Sequence, residues 1–306
     1  MKIIVVGLGV QGEKRKLIAG NDFYLSVDPH NKYADVRDIS DIPIKDYDAV
    51  LLCVPDNQKI DLIKFCLKNK KHVLIEKPLL IEKTFQFKYL KKLSLKNNTV
   101  LYTAYNHRFE PHFINMKKLL KSGKLGKIYS CRMFYGNGTA RLVRNSYWRD
   151  KDLGVITDLG SHLLDTYSYW FPNSKPDFNI ASVNNFENRS PDHAVITAKE
   201  NDIIINLEMT LCMWKNHFTC DIIAENGTAH IESLCKWGPS TFIYRQRKFP
   251  SGIPKEQKKI LIKKDPTWKS EYRYFKKLIL DKEKADISTD LWINNIFNKL
   301  KKEINL

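Results

Sequence analysis

The sequence predicts an α/β protein in two parts, with a doubly wound parallel sheet first and an α+β part with an open, mostly antiparallel sheet second. Short apolar segments alternate with helix-length stretches over the first third of the chain, and extended stretches dominate from residue 128 onward. The chain has 306 residues, more than one hydrophobic core usually serves. We therefore expect a first domain over residues 1–121 and a second over 122–306, and the C-terminal helices could pack back on the first.

Five apolar segments supply the predicted strands of the first part. Their continuous apolar composition is typical of parallel strands covered by helices on both faces. They occupy residues 3–6, 23–27, 49–54, 73–75 and 100–103. Right-handed crossovers would wind these units into one open sheet.

A glycine-rich turn follows the first predicted strand. Gly7, Gly9 and Gly12 form a G-x-G-x-x-G pattern that leads into a helix-like segment. The first glycine permits the tight bend, the second lets the backbone approach a pyrophosphate, and the third lets the helix pack close to the strand. The helix N-terminus then faces the phosphates. The pattern predicts a dinucleotide site, and a chance glycine turn is the alternative.

Asp28 ends the second predicted strand, sixteen positions beyond Gly12. A carboxylate there can accept hydrogen bonds from the adenosine ribose hydroxyls and repels a 2′-phosphate. The sequence therefore favours NAD over NADP, although Lys32 nearby could soften this discrimination. The alternative is that Asp28 only starts the turn that runs to Asn31.

Glu76-Lys77-Pro78 directly follows the fourth predicted strand, at the edge where open α/β sheets bind their ligands. Pro78 ends the strand and restricts Lys77, with either a cis or a trans bond between them. A lysine fixed near a nicotinamide can hydrogen-bond a substrate oxygen and stabilise negative charge that develops there. The alternative is a surface turn.

Asp158 and His162 lie four residues apart, on one face if the segment is helical. This pair predicts a general acid/base whose imidazole is oriented by the carboxylate. A capping or surface pair is one alternative. A metal pair is another, but no third ligand lies at a supporting interval, so no metal is predicted. Asp165 lies one helical turn after His162, and its carboxylate is expected either to pair with a neighbouring group or to be solvated.

Together these residues resemble the glucose-fructose oxidoreductase, inositol dehydrogenase and rhizopine-catabolism (Gfo/Idh/MocA) oxidoreductases, in order as well as in type. The likeness covers about residues 1–171. The matching motifs are Gly7-x-Gly9-x-x-Gly12, Val54-Pro55-Asp56-Asn57, residues 71–78, Asn106-His107-Arg108-Phe109, residues 123–128, Trp148-Arg149 and residues 154–165. Lys59 departs from the pattern, because the family often has histidine there.

The resemblance implies a Rossmann fold, an NAD(H) cofactor and a catalytic set of Lys77, Asp158 and His162. The cofactor-binding residues predicted in this way are Gly7, Gly9, Val10, Gln11, Gly12, Asp28, Val54, Pro55, Asn57, Glu76 and Lys77. The predicted substrate-binding residues are Asn106, Arg108, Arg141, Arg144, Trp148 and Arg149. The last three arginines suit a bidentate grip on phosphate or carboxylate, and a basic surface loop is the alternative.

Extended stretches of the second part predict an antiparallel sheet. They occupy residues 129–135, 178–186, 194–198, 203–213, 218–224, 229–232 and 241–247. The Asn226-Gly227 pair predicts a hairpin because both residues accept the positive φ angles of a tight turn. An open sheet leaves one face in need of cover, which suggests a homodimer or homotetramer. Helices are expected around residues 272–279 and 291–300.

Composition narrows the class of protein further. The six cysteines form no CxxC pair, so we expect buried thiols in a reducing cytoplasm rather than a disulfide or zinc scaffold. No signal peptide or apolar run long enough to cross a membrane is apparent in the sequence, so we expect no membrane partner. The net charge of +17 attracts polyanions, but the lysines are spread singly along the chain without a nucleic-acid-binding signature.

The expected function is hydride transfer between NAD(H) and a hydroxyl or keto carbon of a sugar, polyol or sugar derivative, either neutral, acidic or nucleotide-linked. One alternative is a non-catalytic NAD-binding regulator or scaffold of the same fold. A polyanion-binding protein is a second, and an enzyme that reduces a non-sugar carbonyl or imine is a third. The hydride-transfer hypothesis requires a nicotinamide within reach of Lys77 and His162.

Overall fold

The computed structural model describes residues 1–81, 83–146, 149–283 and 286–305. The chain divides into two compact units, residues 1–105 with 268–294 and residues 106–267 with 295–306. Residues 106–121, which the sequence motifs place in the first domain, thus belong to the second unit. The motifs give no sign of where the chain leaves or rejoins the first unit.

The first unit contains a parallel sheet of five strands, as predicted. The strands are β1 (Ile3–Val6), β2 (Phe23–Val27), β3 (Ala49–Leu52), β4 (His72–Glu76) and β5 (Leu101–Ala104). Their order is β2-β1-β3-β4-β5, with every neighbouring pair parallel. The chain therefore reverses its winding direction between β1 and β3. Ligands of open α/β sheets bind at such a switch point, beyond the carboxyl ends of the strands.

Helices cover both faces of this sheet. They are α1 (Val10–Ala19), α2 (Asp56–Lys68), α3 (Phe85–Lys96) and α7 (Thr267–Leu280), of which all but the first residue of α7 belongs to this unit. Ile4 lies in a cluster with side chains of α2 and α3, whereas Ile3 lies in a cluster with Phe275 of α7. Alternate residues of β1 thus enter opposite cores, which explains why all four are apolar.

The second unit contains an eight-stranded sheet. Its strands are β6 (Ile128–Gly136), β7 (Asn179–Asn184), β8 (His193–Glu200), β9 (Ile203–Thr210), β10 (His217–Ala224), β11 (Gly227–Glu232), β12 (Ser240–Gln246) and β13 (Lys255–Leu261). Their order is β13-β12-β11-β10-β6-β9-β8-β7, and only β6 and β9 pair in parallel. The prediction of an open, mostly antiparallel sheet is confirmed.

The remaining helices are α4 (Pro111–Lys121), α5 (Ala140–Arg144), α6 (Ser161–Trp170) and α8 (Ser288–Glu303), and a π-helical turn at Ile156–Gly160 leads directly into α6. Tyr135 on β6 and Phe218 on β10 are buried and face one another at 6.4 Å between ring centroids. Phe113 of α4 packs on Phe218 and on Trp170 of α6. Aromatic packing of α4 and α6 on the sheet thus fixes the helix that carries His162.

The predicted hairpin between β10 and β11 forms, but with a different turn. Ala224 pairs with Gly227, so the two turn residues are Glu225 and Asn226, and neither has a positive φ. Gly227 is the first strand residue, and a Cβ on it would lie 2.2 Å from the carbonyl oxygen of Arg245. The glycine is therefore required by the close approach of β12 rather than by the turn.

Candidate active site

The glycine turn after β1 has the geometry that its spacing predicts. Gly7 has a φ of +88°, and a Cβ there would lie 2.5 Å from the carbonyl oxygen of Cys53. A Cβ on Gly12 would lie 1.8 Å from the carbonyl oxygen of Gly7, so the helix could not pack against the turn. A Cβ on Gly9 would meet no atom within 4 Å, so the space beside its backbone is open. These three environments match the three roles that a dinucleotide turn requires.

Helix α1 begins directly after Gly9. The side chains of Val10 and Gln11 are exposed. The N-cap is Gly9, so no side chain caps the first N–H groups of the helix. Backbone N–H groups of a first helical turn have no partner within the helix, so they can donate to an anion. The turn and the helix together fit the pyrophosphate of NAD.

Asp28 lies at the end of β2 and holds the glycine turn in place. Its Oδ2 accepts from the N–H of Leu8 at 2.8 Å, while Oδ1 accepts from the N–H groups of His30 and Asn31 at 2.9 Å. Burial alone would raise the pKa of Asp28, but these three hydrogen bonds outweigh it and lower the pKa below its usual value. Asp28 therefore starts a turn and also carries a fixed negative charge beside the dinucleotide turn.

The proline turn lies at the carboxyl end of β3, next to the glycine turn. Pro55 precedes the first residue of α2, and Asn57 is exposed in the first turn of that helix. A Cβ on Gly7 would lie 3.2 Å from Cγ1 of Val54, so Val54 borders the glycine turn directly. The two turns flank the switch point of the sheet, as the predicted cofactor role of these residues requires.

Glu76 is the last residue of β4 and forms an ion pair. Its Oε1 accepts from Nε of Arg15 at 2.7 Å, and Nη1 of Arg15 donates to Glu271 at 2.7 Å. The guanidinium also stacks on Trp268 at 4.3 Å. Burial would lower the pKa of Arg15, but the two carboxylates raise it above its usual value. Glu76 thus anchors the end of β4, and its predicted contact with the cofactor stays a prediction.

Lys77 follows Glu76 at the same sheet edge. Its side chain is partly exposed, and the bond to Pro78 is cis, one of the two forms that the sequence left open. The glycine turn, the proline turn and Lys77 therefore follow three adjacent strands, β1, β3 and β4.

In the second unit, His162 lies in the first turn of α6 and is 8% exposed. Its ring stacks on His107, with centroids 3.9 Å apart and an interplanar angle of 17°. Tyr135 of β6 lies 6.0 Å from His162 and 5.4 Å from His107. Burial raises the pKa of Tyr135, and the charges of Asp158 and Glu110 raise it further, so its hydroxyl stays protonated.

Lys236 completes this group. Its Nζ lies 3.4 Å from Nε2 of His107, at hydrogen-bond distance. His107, Tyr135 and Lys236 were not among the site residues predicted from the sequence. The one signal in the sequence was that His107 lies within a family-like motif, which does not reveal its stacking on His162.

Asp158 lies in the π-helical turn before α6 and pairs with an arginine. Nη2 of Arg149 donates to Oδ2 of Asp158 at 3.0 Å, and both side chains are about one third exposed. Arg149 was predicted to bind substrate, and the structure places it on a predicted catalytic carboxylate. The orientation of His162 by Asp158 stays a prediction.

Other predicted substrate residues lie in internal networks. Arg108 donates from Nε to both oxygens of Asp165 and from Nη2 to Oδ1. Asp165 is 1% exposed, and burial raises its pKa despite the neighbouring guanidinium. Nδ2 of Asn106 donates to the hydroxyl of Thr267 at 2.8 Å. The substrate roles of Asn106 and Arg108 stay predictions.

The two remaining arginines both contact Glu187. Nη1 of Arg144 donates to the carbonyl oxygen of Glu187 at 3.0 Å, and Arg141, which is 91% exposed, lies 3.5 Å from the Glu187 carboxylate. Trp148 falls outside the described residues. Among the residues that are described, no group of three or more His, Cys, Asp or Glu side chains could hold a metal, and no helix is long and apolar enough to cross a membrane.

The parallel sheet with its glycine turn defines a dinucleotide-binding α/β protein. Comparison with known proteins makes the assignment specific. Residues 2–105 match the model of the Gfo/Idh/MocA oxidoreductase family, NAD-binding Rossmann fold, and residues 113–230 match the C-terminal domain model of the same family. The two matches together cover more than half of the chain, which therefore belongs to the Gfo/Idh/MocA family and carries its NAD-binding domain.

One curated relative is the myo-inositol 2-dehydrogenase of Thermotoga maritima, 28% identical over 151 residues. That alignment covers 44% of this chain and 44% of the relative, so the chain spans less than half the length of the curated relative that it matches.

Solved structures share the fold along the whole chain. Levoglucosan dehydrogenase in complex with NADH is 16% identical with a TM-score of 0.83, covering 100% of this chain and 97% of that chain. The UDP-N-acetylglucosamine 3-dehydrogenase of Acidithiobacillus ferrooxidans is 17% identical with a TM-score of 0.79, covering 99% and 96%. At this level of identity the likeness concerns the fold.

Proposed function

We propose that the protein is an NAD(H)-dependent oxidoreductase that transfers a hydride between the nicotinamide and a hydroxyl or keto carbon of a sugar, polyol or sugar derivative. One observation carries the proposal. The open glycine turn, the proline turn and Lys77 follow three adjacent parallel strands at the switch point of a family-typical Rossmann sheet. The activities named for the similar proteins, on inositol, levoglucosan and a UDP-sugar, support this substrate class.

The preferred cofactor is NAD rather than NADP. The ionised carboxylate of Asp28 is fixed by three backbone N–H groups. Oδ1 accepts two of them, whereas Oδ2 accepts one and retains a lone pair for a ribose hydroxyl. A 2′-phosphate at the same place would meet that negative charge.

Three side chains carry the proposed proton and charge transfers. Bound NAD supplies the hydride acceptor. During oxidation His162 takes the hydroxyl proton, Lys77 polarises the same oxygen or relays its proton, and Asp158 orients the imidazole. Either His162 or Lys77 is the immediate base.

The substrate is either a neutral sugar or one that carries an acidic or nucleotide group. The arginines at 141, 144 and 149 supply positive charge for the second kind, and the likeness to a UDP-sugar dehydrogenase supports testing it. The panel for the assay therefore contains inositols, anhydrosugars, sugar acids and UDP-sugars.

The test combines cofactor titration with turnover in the Lys77→Ala and His162→Ala variants. We expect NADH to bind to both variants, because neither change touches the glycine turn, but more weakly to Lys77→Ala, because Lys77 is also a predicted cofactor contact. We expect kcat to fall about 10²–10⁴-fold in each, since each loses a proton-transfer or charge-stabilising group. Absorbance of NADH in the near ultraviolet measures the turnover.

Near-wild-type turnover of Lys77→Ala would remove the catalytic assignment. Tight NADH binding without turnover on the whole panel would favour the non-catalytic regulator instead. The pH dependence of the two variants separates the candidate bases. The rate of oxidation rises with pH only while the base is present, so the variant that loses this rise has lost the base.

The open sheet of the second unit also supports assembly. We propose a homodimer or homotetramer that covers its outer face, which sedimentation velocity would measure directly.

A further inference from the structure

Lys59 on α2 is a buried lysine whose ammonium group has three acceptors. Its Nζ donates to the carbonyl oxygen of Glu76 at 2.8 Å and to that of Pro78 at 2.9 Å, and lies 2.7 Å from Oδ1 of Asp56. The side chain is only 3% exposed. An ammonium has three N–H donors, so each donor has one partner here.

Burial of a lysine is costly unless its charge is compensated and its donors are satisfied. Two of the three partners are the backbone carbonyls that flank Lys77, one on each side. Charge-assisted hydrogen bonds are about twice as strong as neutral ones. Lys59 therefore holds the Glu76–Lys77 and Pro78–Leu79 peptide units, which bracket Lys77 and Pro78, from the side of α2.

A second helix holds the same segment from another direction. Nε of Arg15 on α1 donates to the Glu76 carboxylate at 2.7 Å. The side chain of Glu76 is thus fixed by α1, while the main chain on both sides of Lys77 is fixed by α2. The Lys77 side chain extends from this anchored main chain, which sets where its stem begins.

We propose that Lys59 is a positioning residue for Lys77. It acts through the carbonyls of Glu76 and Pro78, and it sets where the stem of Lys77 leaves the sheet edge. The inference rests on the proposed function, because Lys77 needs a defined position only if it acts on a substrate. Displacement of a catalytic group by about 1 Å can cost about 10²-fold in rate.

The same helix supplies a matched control. Lys64 also pairs with a carboxylate three residues earlier, Asp61 at 3.1 Å, but its side chain is 30% exposed. Lys59→Met and Lys64→Met therefore remove the same group from the same helix and the same kind of ion pair. Only Lys59→Met also removes the hydrogen bonds to the carbonyl oxygens of Glu76 and Pro78. Lys59→Arg keeps a cation with several donors and serves as the conservative variant.

Two measurements on the full-length protein test the proposal. Hydrogen exchange of the peptide around residues 74–81 reports the anchor without any need for activity. We expect about tenfold faster exchange in Lys59→Met, because charge-assisted bonds to this segment are lost, and no change in Lys64→Met. Steady-state kinetics then report positioning. We expect kcat to fall about 10–100-fold in Lys59→Met with little change in KM for NAD, and Lys59→Arg to recover most of the loss.

Each outcome decides something. Wild-type exchange around residues 74–81 in Lys59→Met would overturn the anchor, and faster exchange with wild-type kcat would overturn the positioning role. An equal loss of kcat in Lys64→Met would also overturn it, since α2 as a whole would then be responsible. If wild-type protein turns over no member of the panel, the proposed function fails, and the exchange comparison still decides whether Lys59 anchors the segment.

Discussion

The two sheets of this protein support chemistry in different ways. The parallel sheet of the first unit has apolar strands buried on both faces, and its predicted site residues follow directly on the ends of β1, β3 and β4. The antiparallel sheet of the second unit contributes Tyr135, while His162, His107 and Lys236 come from separate helices and turns. The candidate residues of the first unit are therefore contiguous with sequence motifs, and those of the second unit come from segments far apart in the chain.

The largest stability effect is expected in the second unit, at the ion pair between the buried Asp165 and the partly exposed Arg108. Asp165→Asn removes the carboxylate and leaves the guanidinium without its charged partner, which costs about 3 kcal/mol. Urea unfolding of the variant and the wild-type protein measures this difference. Asp202→Asn, at an exposed pair with Lys127, is the control and should cause no measurable change. Equal losses of stability in Asp165→Asn and Asp202→Asn would show that the Arg108–Asp165 pair contributes no more than an exposed pair.

A smaller effect, on binding, is expected from the glycine turn of the first unit. Gly12→Ala places a Cβ 1.8 Å from the carbonyl oxygen of Gly7, so α1 must move. We expect NADH affinity to fall about 100-fold or more, measured by fluorescence titration. Gly9→Ala is the informative comparison, because its Cβ meets no protein atom and can only obstruct the cofactor. If Gly12→Ala bound NADH normally, the turn would not be the pyrophosphate site.

The smallest expected effect is a pH dependence of stability at Asp28. Its pKa is lowered in the folded protein, so its stabilisation is complete above the usual carboxyl pKa of about 3.9 and is lost as the pH falls through the folded-state value. Asp28→Asn should be about 1 kcal/mol less stable than wild type at neutral pH. Urea unfolding from pH 7 to pH 3 should show this difference shrinking, and a constant difference would contradict the assigned cause.

The fold was more predictable than the site because apolar patterns report burial directly. All five strands of the first sheet follow from apolar runs, whereas β13 was missed. The sequence of β13, KEQKKIL, lacks an apolar alternation because six of its seven residues are exposed on an edge strand. The π-helical turn before α6 was also missed, since a hydrophobic period does not distinguish it from an α-helical turn.

Sequence alone determined the glycine turn, Asp28 and the Glu76-Lys77-Pro78 segment, because each role depends on neighbouring residues and on the end of a strand. Tertiary structure decided which groups surround them. Lys59 gave no sign of its bonds to the carbonyls beside Lys77, nor Arg15 of its bond to Glu76. Such contacts join residues 17 to 61 positions apart, and a hydrogen bond depends on distances that only the packed helices and strands set.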